Sequence, residues 1–458
     1  MLKVMFIDAV NPTVQLSWLP TLGLGYLASS LRNEFGYNHI DIKIVQQDIE
    51  QEINRFRPDL IGISSLSTNY GTAIRCARIA KEHGLPVIIG GQHISLLPST
   101  LTSDMDVGVI GEGEETLVDL VKLFCDKGNL DRNELEKIDG VFFRRDGKLV
   151  MTNKRKPIEP LDNVPMPARD LFVINEFTNM FTSRGCPYRC TFCSSSRFWG
   201  KVRFFSAEYV VNEIEHLIKE YNVKTIGLWD DLFVVSKARL GQISNLLEKK
   251  GILGKVSLHI QARSDLIDNE LAQLLKHMNV TMVGMGLESG CPATLEYLKG
   301  SKGRNITIDD HINAINILKD HGIWVAGSFI IGSPRESRED ILQTLRFIKE
   351  HQLAAGVTCL LTPLPGTPLW DYAKMRGLVS DDTTWDWDNL CMAFESGKDK
   401  AIIVSEKLTR DELYELYQMI VKERKMLSEQ PLETGENISM PVSALARWIK
   451  QVRMRLWS

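Results

Sequence analysis

Three cysteines crowd into eight positions, Cys186, Cys190 and Cys193, in the spacing C-x3-C-x2-C. Three thiolates on one short loop can ligate three irons of a [4Fe–4S] cubane and leave the fourth iron open. An open iron can chelate an amino and a carboxylate group together, as a methionine moiety presents them. The competing reading is a structural zinc site, which ordinarily takes four ligands in recognisable pairs. No fourth Cys or His lies nearby in sequence, and the nearest His beyond the motif is His216. The other five cysteines (Cys76, Cys125, Cys291, Cys359 and Cys391) are scattered, which is not the pattern of a secreted disulfide framework.

The elements that must position this loop can be read on both sides of it. The chain has 458 residues, enough for two or three domains, with 44% apolar residues and a net charge of −4. That balance gives no basic field for nucleic acid, and no apolar run approaches the ~20 residues that span a bilayer. The N-terminal run Met1–Asp8 is too short for a signal peptide and reads as a first strand, so a cytoplasmic location is expected.

Residues 1–134 alternate strand and helix signals, with continuous apolar strands such as residues 60–64 and 86–91. Such strands imply a doubly wound parallel sheet covered on both faces. Residues 135–175 carry a hairpin turning at Asp146-Gly147, then Pro157, Pro160, Pro165 and Pro167, and read as a linker. Residues 176–400 alternate again, with strands expected at 180–183, 225–229, 256–261, 282–287, 324–331 and 356–361. Ser206, and Ser337 with Asp340, are placed to cap helices. Six such units fit a partial (β/α)6 barrel with its chemistry at the carboxyl ends of the strands. Residues 401–458 read as helical. Within them, residues 445–457 mix Arg447, Lys450, Arg453 and Arg455 with Trp448 and Trp457. A helix docked on the body is the preferred reading there, and weak contact with a membrane surface the alternative. Trp385 and Trp387 are read as packing residues.

Each expected barrel strand after the cysteine loop ends on a polar or glycine-rich segment. These are Trp229-Asp230-Asp231, Gln261-Ala262-Arg263, Gly286-Leu287-Glu288-Ser289, Ile331-Gly332-Ser333 and Thr362-Pro363. A guanidinium such as that of Arg263 can pair with a carboxylate, and a carboxylate such as Glu288 can accept from both hydroxyls of a diol. In the first domain Ser64, Ser67, Gly90 and Gly91 sit at strand ends, where open α/β sheets bind ligands.

The cysteine spacing, with the aromatic Phe192 before the last cysteine, resembles the radical S-adenosylmethionine (SAM) superfamily. The resemblance implies that Cys186, Cys190 and Cys193 hold a [4Fe–4S] cluster. It further implies that Asp230, Asp231 and Arg263 meet the polar groups of SAM, Glu288 and Ser289 its ribose, and Ile331 and Gly332 its adenine, with Phe192 a further cofactor contact. The segments Leu22-Gly23-Leu24-Gly25-Tyr26, Gly90-Gly91-Gln92-His93, Ile110-Gly111-Glu112-Gly113-Glu114 and Pro165-Met166-Pro167-Ala168-Arg169 are similar to the cobalamin-binding domain that precedes the barrel in one large subfamily. Ser64, Ser67, Gly90, Gly91, His93, Glu112 and Gly113 are the residues this implies for cobalamin. Asp8-Ala9-Val10-Asn11-Pro12 lacks the histidine of the D-x-H-x-x-G pattern, so histidine ligation of cobalt from that motif is not expected.

The implied cofactors are therefore the cluster, SAM and cobalamin, and the implied partners a small-molecule substrate and an electron donor such as flavodoxin or ferredoxin. The implied reaction is hydrogen abstraction from an unactivated carbon, with C-methylation first and radical cyclisation or rearrangement second. A non-catalytic cobalamin or metal sensor is a third reading, disfavoured because a sensor would not need the full set of barrel-end segments.

Overall fold

The computed structural model describes residues 1–9, 19–300, 305–394 and 399–429. The basic aromatic segment 445–457 lies outside them. The first sheet contains β1 (Leu2–Asp8), β2 (Ile40–Val45), β3 (Leu60–Ser64), β4 (Val87–Gly90), β5 (Val107–Val109), β6 (Val141–Arg145) and β7 (Lys148–Met151). Their order is β2-β1-β3-β4-β5-β6-β7. The first five run parallel and β6–β7 is an antiparallel hairpin added to β5. Its turn, Asp146-Gly147, has positive φ at both residues (50° and 78°), as a two-residue hairpin requires. The sequence places this hairpin in the linker. The structure instead makes it the edge of the first sheet, because Phe142 and Phe143 are fully buried there.

The proline-rich segment then crosses the helix Leu22–Phe35. Gly25 is the crossing point: its carbonyl accepts from Ala168 N–H, and a Cβ on it would press on Pro167 and Phe172 at 3.1 Å. The chain continues into β8 (Phe177–Met180), β9 (Ser183–Arg184), β10 (Arg203–Phe204), β11 (Thr225–Leu228), β12 (Ser257–Ala262), β13 (Val280–Glu288), β14 (Trp324–Ile331) and β15 (Thr358–Leu360). The order β8-β11-β12-β13-β14-β15, all parallel, is an open partial barrel of six strands. Ser206 accepts from Tyr209 N–H at the head of one barrel helix, and Ser337 and Asp340 form a capping box on another. The last described helix is Arg410–Glu429. Among the described residues no helix is long and apolar enough to cross a membrane.

Alternation along each barrel strand sorts its side chains. Leu258, Ile260 and Ala262 of β12 join the core under the helices, so His259 and Gln261 face the barrel interior. Three interior positions are glycine for a physical reason. A Cβ would strike the Trp229 indole at Gly227 (2.2 Å), the Gln261 amide at Gly284 (2.5 Å) and the Glu288 carboxylate at Gly286 (2.4 Å). At these rungs the Trp229, Gln261 and Glu288 side chains thus lie folded back close over glycines of the interior face.

The carboxyl edge of the first sheet is equally tight. Gly91 has φ +103°, and a Cβ on it would lie 2.4 Å from Ser65 O, whereas a Cβ on neighbouring Gly90 would meet nothing closer than Val109 at 3.9 Å. Gly91→Ala should therefore lower the cofactor-free melting temperature by the equivalent of about 2 kcal/mol or more. Gly90→Ala should leave it nearly unchanged. Equal effects in thermal unfolding would refute this account of the turn.

Candidate active site

The cysteine loop is closed at its stem by a two-stranded ribbon. β9 and β10 pair antiparallel, with Arg184 opposite Arg203 and Ser183 opposite Phe204. Between them run Cys186, Cys190, Cys193 and the short helix Ser195–Trp199. Gly185 (φ +91°) makes the stem close, since a Cβ there would lie 2.7 Å from Lys201 O. The far end of the loop is anchored by Thr191 N–H, which donates to Leu298 O at 3.0 Å. Burial pushes the Cys186 thiol up to about 11, raises Cys190, and pushes Cys193 up to about 12. As free thiols all three stay protonated at neutral pH, so bound metal must supply their deprotonation. Among the described residues no three His, Cys, Asp or Glu side chains already converge in a ligating arrangement. The donor set itself, three thiols on one loop without a fourth, fits a cubane with one open iron.

Around the thiols stands a ring of charged groups from the barrel rim. Arg263, Glu288 and Lys299 act on Cys190, and Asp231 and Arg263 on Cys186. Arg263 donates through Nε to Asp265 at 2.7 Å and lies 3.9 Å over the Tyr188 ring. No hydrogen bond engages its terminal nitrogens among the described residues, which suits them to a carboxylate. Glu288 ends β13 at a bulge, with a left-handed φ of +61° that a non-glycine residue rarely adopts. Its partner is Lys299, which donates to Glu288 at 2.9 Å and to Gly286 O at 2.7 Å. Asp231 accepts from Ser195 at 2.5 Å. Phe192 is half-buried against the core that contains Leu298 and Leu369.

Other expected contacts are placed differently. Asp230 is buried and accepts four hydrogen bonds, from the backbone N–H and hydroxyl of both Thr182 and Ser183, between 2.5 and 3.1 Å. It holds the chain leading into the ribbon and has no capacity to spare for SAM. Ser289 is fully buried against Thr344, 3.1 Å away. Ile331 points into the helix-side core, so only its backbone and Gly332 border the interior.

At the carboxyl edge of the first sheet Ser64 lies beside Gly90, and the Ser65 hydroxyl is buried without a partner. Nothing lies within 4 Å of where a Cβ on Gly111 would be. An edge of small residues with an unsatisfied hydroxyl fits a bulky, hydrogen-bonding tail. His93 does not share in it. The residue is fully buried, both ring nitrogens are taken by Ser67 (3.0 Å) and Thr100 (3.1 Å), and burial pushes its pKa down to about 3. Its ring packs on Tyr70 and Trp387, so Trp387 is the packing residue expected. Gly113 packs against Leu27, 3.2 Å from where its Cβ would be. Glu112 points away from the edge, toward Arg184 and Arg203.

Sequence reading misses Lys299, and also Glu336, whose only signal is a position four residues after Gly332. Its Oε2 accepts from Gly332 N–H (2.6 Å) and Ser333 N–H (3.0 Å), while Oε1 is buried without a partner. Asn179 and His259 are missed too. They flank Gly227 on one rung of the sheet, and Asn179 Oδ1 and His259 Nδ1 are buried without partners.

The family description "Radical SAM superfamily" matches residues 180–348, and "B12 binding domain" matches residues 13–121. An uncharacterized methyltransferase of Pyrococcus horikoshii is 34% identical over 389 residues, 80% of this chain and 81% of that protein. The anaerobic magnesium-protoporphyrin IX monomethyl ester cyclase of Rubrivivax gelatinosus is 26% identical over 77% of this chain and 66% of its own length. The solved structure of the radical SAM methyltransferase TsrM from Kitasatospora setae, with cobalamin and a [4Fe–4S] cluster bound, superposes with a TM-score of 0.71 at 16% identity. It covers 100% of this chain and 99% of that one, a likeness of fold. The chain belongs to the radical SAM superfamily, in the group that carries a B12-binding domain ahead of the barrel.

Glu336 generates a pH test. Burial pushes its carboxyl up to about 8 from an ordinary 4.5, against the two backbone N–H bonds that lower it. The folded chain therefore keeps a proton that the unfolded chain releases. The stability this group contributes is fully present below pH 4.5 and is lost as pH rises through about 8. Glu336→Gln carries the neutral state permanently, so its melting temperature should gain on the parent's between about pH 5 and 8.5. Parallel curves for the two proteins would show that Glu336 is ionised throughout.

Proposed function

We propose that this protein is a cobalamin-dependent radical SAM C-methyltransferase acting on a small molecule. The observation that carries the proposal is the placement of the cysteine loop. Its stem is ion-paired to the loop that follows β5, at the carboxyl edge of the first sheet. Two cofactor sites that must exchange a carbon through one substrate have to adjoin, and this ion-paired docking supports that reading.

When bound, the cluster, SAM and cobalamin supply electron transfer, a 5′-deoxyadenosyl radical and a transferable methyl group. The chain's own residues bind and orient them. Cys186, Cys190 and Cys193 hold three irons, and Arg263 offers its free guanidinium edge to the SAM carboxylate. Glu288, fixed by Lys299, faces the ribose, and the Gly332 turn borders the adenine. Asp230 positions the stem of the loop and Asp231 its short helix. Ser64, Ser65, Gly90 and Gly111 receive the cobalamin tail.

Asn179, held by donation from Nδ2 to Pro20 O at 3.2 Å, must present its oxygen to the barrel interior. Burial alone holds His259 down, at about 4. The floor of the barrel is therefore uncharged, and it suits a substrate group with N–H or O–H donors rather than a carboxylate or phosphate. A reduced flavodoxin or ferredoxin would supply electrons, and the location would be the cytoplasm. The likeness to a cyclase keeps radical cyclisation as the second reading.

The test is anaerobic incubation of the reconstituted, reduced protein with SAM, cobalamin and candidate substrates. Methylation requires S-adenosylhomocysteine and 5′-deoxyadenosine together. Cys186→Ala, Cys190→Ala and Cys193→Ala should each remove the iron, about four per chain for one cubane, and the 5′-deoxyadenosine with it. Cys76→Ala should keep both. 5′-Deoxyadenosine without S-adenosylhomocysteine would move the assignment to the cyclase reading. Stoichiometric zinc in place of iron would end both.

A further inference from the structure

Arg184 and Arg203 face each other directly across the β9–β10 ribbon, with side chains only 7% and 4% exposed. Like charges directly opposite on adjacent strands destabilise the pair, and a buried unpaired guanidinium is costlier still. The ribbon closes because carboxylates reach it from the other unit. Glu112 pairs with both arginines, through Oε1 with Arg184 and through Oε2 with Arg203 at 2.7 Å, and Glu114 takes the second arm of Arg184. Ile158 N–H adds a third bond to Glu112 at 2.8 Å. Burial pushes Glu112 up, yet its arginines win and its pKa is lowered. Tyr26 and Trp199 cover Arg184 at 5.5 and 5.3 Å.

The carboxylate is wired in the other direction as well. Ser95 Oγ donates to Gly91 O at 2.8 Å and accepts from Gly111 N–H at 3.0 Å. The turns after β4 and β5 are thereby tied together, and Glu112 is the next residue. On the barrel side Arg184 is followed by Gly185, whose backbone is pressed on Lys201, and then by Cys186. One unbroken path of short contacts thus runs from the Gly90-Gly91 edge, through Ser95, Gly111, Glu112 and Arg184, to the first cluster ligand.

We propose that Glu112 is a positioning residue for the cluster loop, acting from the cobalamin-binding unit, so that filling the cobalamin site is felt at the SAM site. This rests on the functional reading above. Coupling of this kind is reciprocal and ordinarily amounts to fivefold or more in affinity.

The test uses the full chain, reconstituted anaerobically with and without hydroxocobalamin. It measures SAM affinity by equilibrium binding and the reduced cluster by EPR before and after SAM. In the parent protein the SAM Kd should differ by about fivefold or more between the two preparations. Glu112→Gln should bring that ratio toward one and alter the SAM-bound cluster signal. Arg184→Lys, which keeps the charge but cannot fork between two carboxylates, should do the same if Glu112→Gln fails to fold. The control is Glu213→Gln. It breaks the Arg169–Glu213 pair, whose side chains are each 1% exposed and which lies off this path. It should cost thermal stability while preserving both the ratio and the signal.

A parent ratio of one, or a Glu112→Gln variant that keeps ratio and signal, would overturn the proposal. If bound cobalamin is absent from the visible spectrum of every preparation, the functional reading fails instead. The positioning claim is then decided by the EPR signal alone: altered in Glu112→Gln and unaltered in Glu213→Gln, or overturned.

Discussion

A single carboxylate set between two opposed arginines is the constraint on which the site depends. The cluster loop needs a fixed stem, and the stem is a ribbon of two residues on each side, too short to hold itself. Its facing residues, Arg184 and Arg203, repel each other unless an anion is buried with them. Glu112 supplies that anion from the neighbouring sheet, so loop geometry and docking of the two units are one problem with one solution. Buried ion pairs are weak evidence for net stability, because desolvation offsets much of the attraction. Their use here is specificity: this ribbon closes in one register and against one neighbour.

The barrel solves a second problem by a similar division of labour. Large side chains at the strand ends have to lie close over the interior face. Gly227, Gly284 and Gly286 let Trp229, Gln261 and Glu288 fold back across the strands. The left-handed backbone at Glu288 stores strain at the rim, and Lys299 holds the carboxylate in place. Arg263, stacked on Tyr188 from the cluster loop, keeps its terminal nitrogens open. The groups proposed to meet SAM are thus fixed by residues that need not touch it.

Much of this is legible in the sequence, and the limits have physical causes. The strands, the two helix caps and the cysteine loop announce themselves through local patterns: apolar runs, Ser with Asp three residues on, and a tight cysteine spacing. Five of the six parallel barrel strands fall where those patterns put them; the first, Phe177–Met180, lies three residues before the expected 180–183, and Ser183 goes to the ribbon instead. What sequence reading misplaces is decided by contacts distant in the chain. Asp230 and Ser289 look like ligand contacts because they end strands, yet their capacity is spent on Thr182, Ser183 and Thr344. Glu112 looks like part of a cofactor loop, and only the fold brings Arg184, 72 positions away, against it. His93 reads as an edge residue until Tyr70 and Trp387 are seen to enclose it. Strand ends mark where a site must be, but not which side chains there are still free.

The edge proposed for cobalamin and the cluster loop are held together by the Glu112 network. The most direct measurement is EPR of the full chain loaded with cob(II)alamin, with the cluster oxidised and then reduced. Adjoining sites predict that reducing the cluster broadens or splits the cob(II)alamin signal through spin–spin interaction. A cob(II)alamin signal unchanged by reduction, in protein shown to hold both cofactors, would contradict the account.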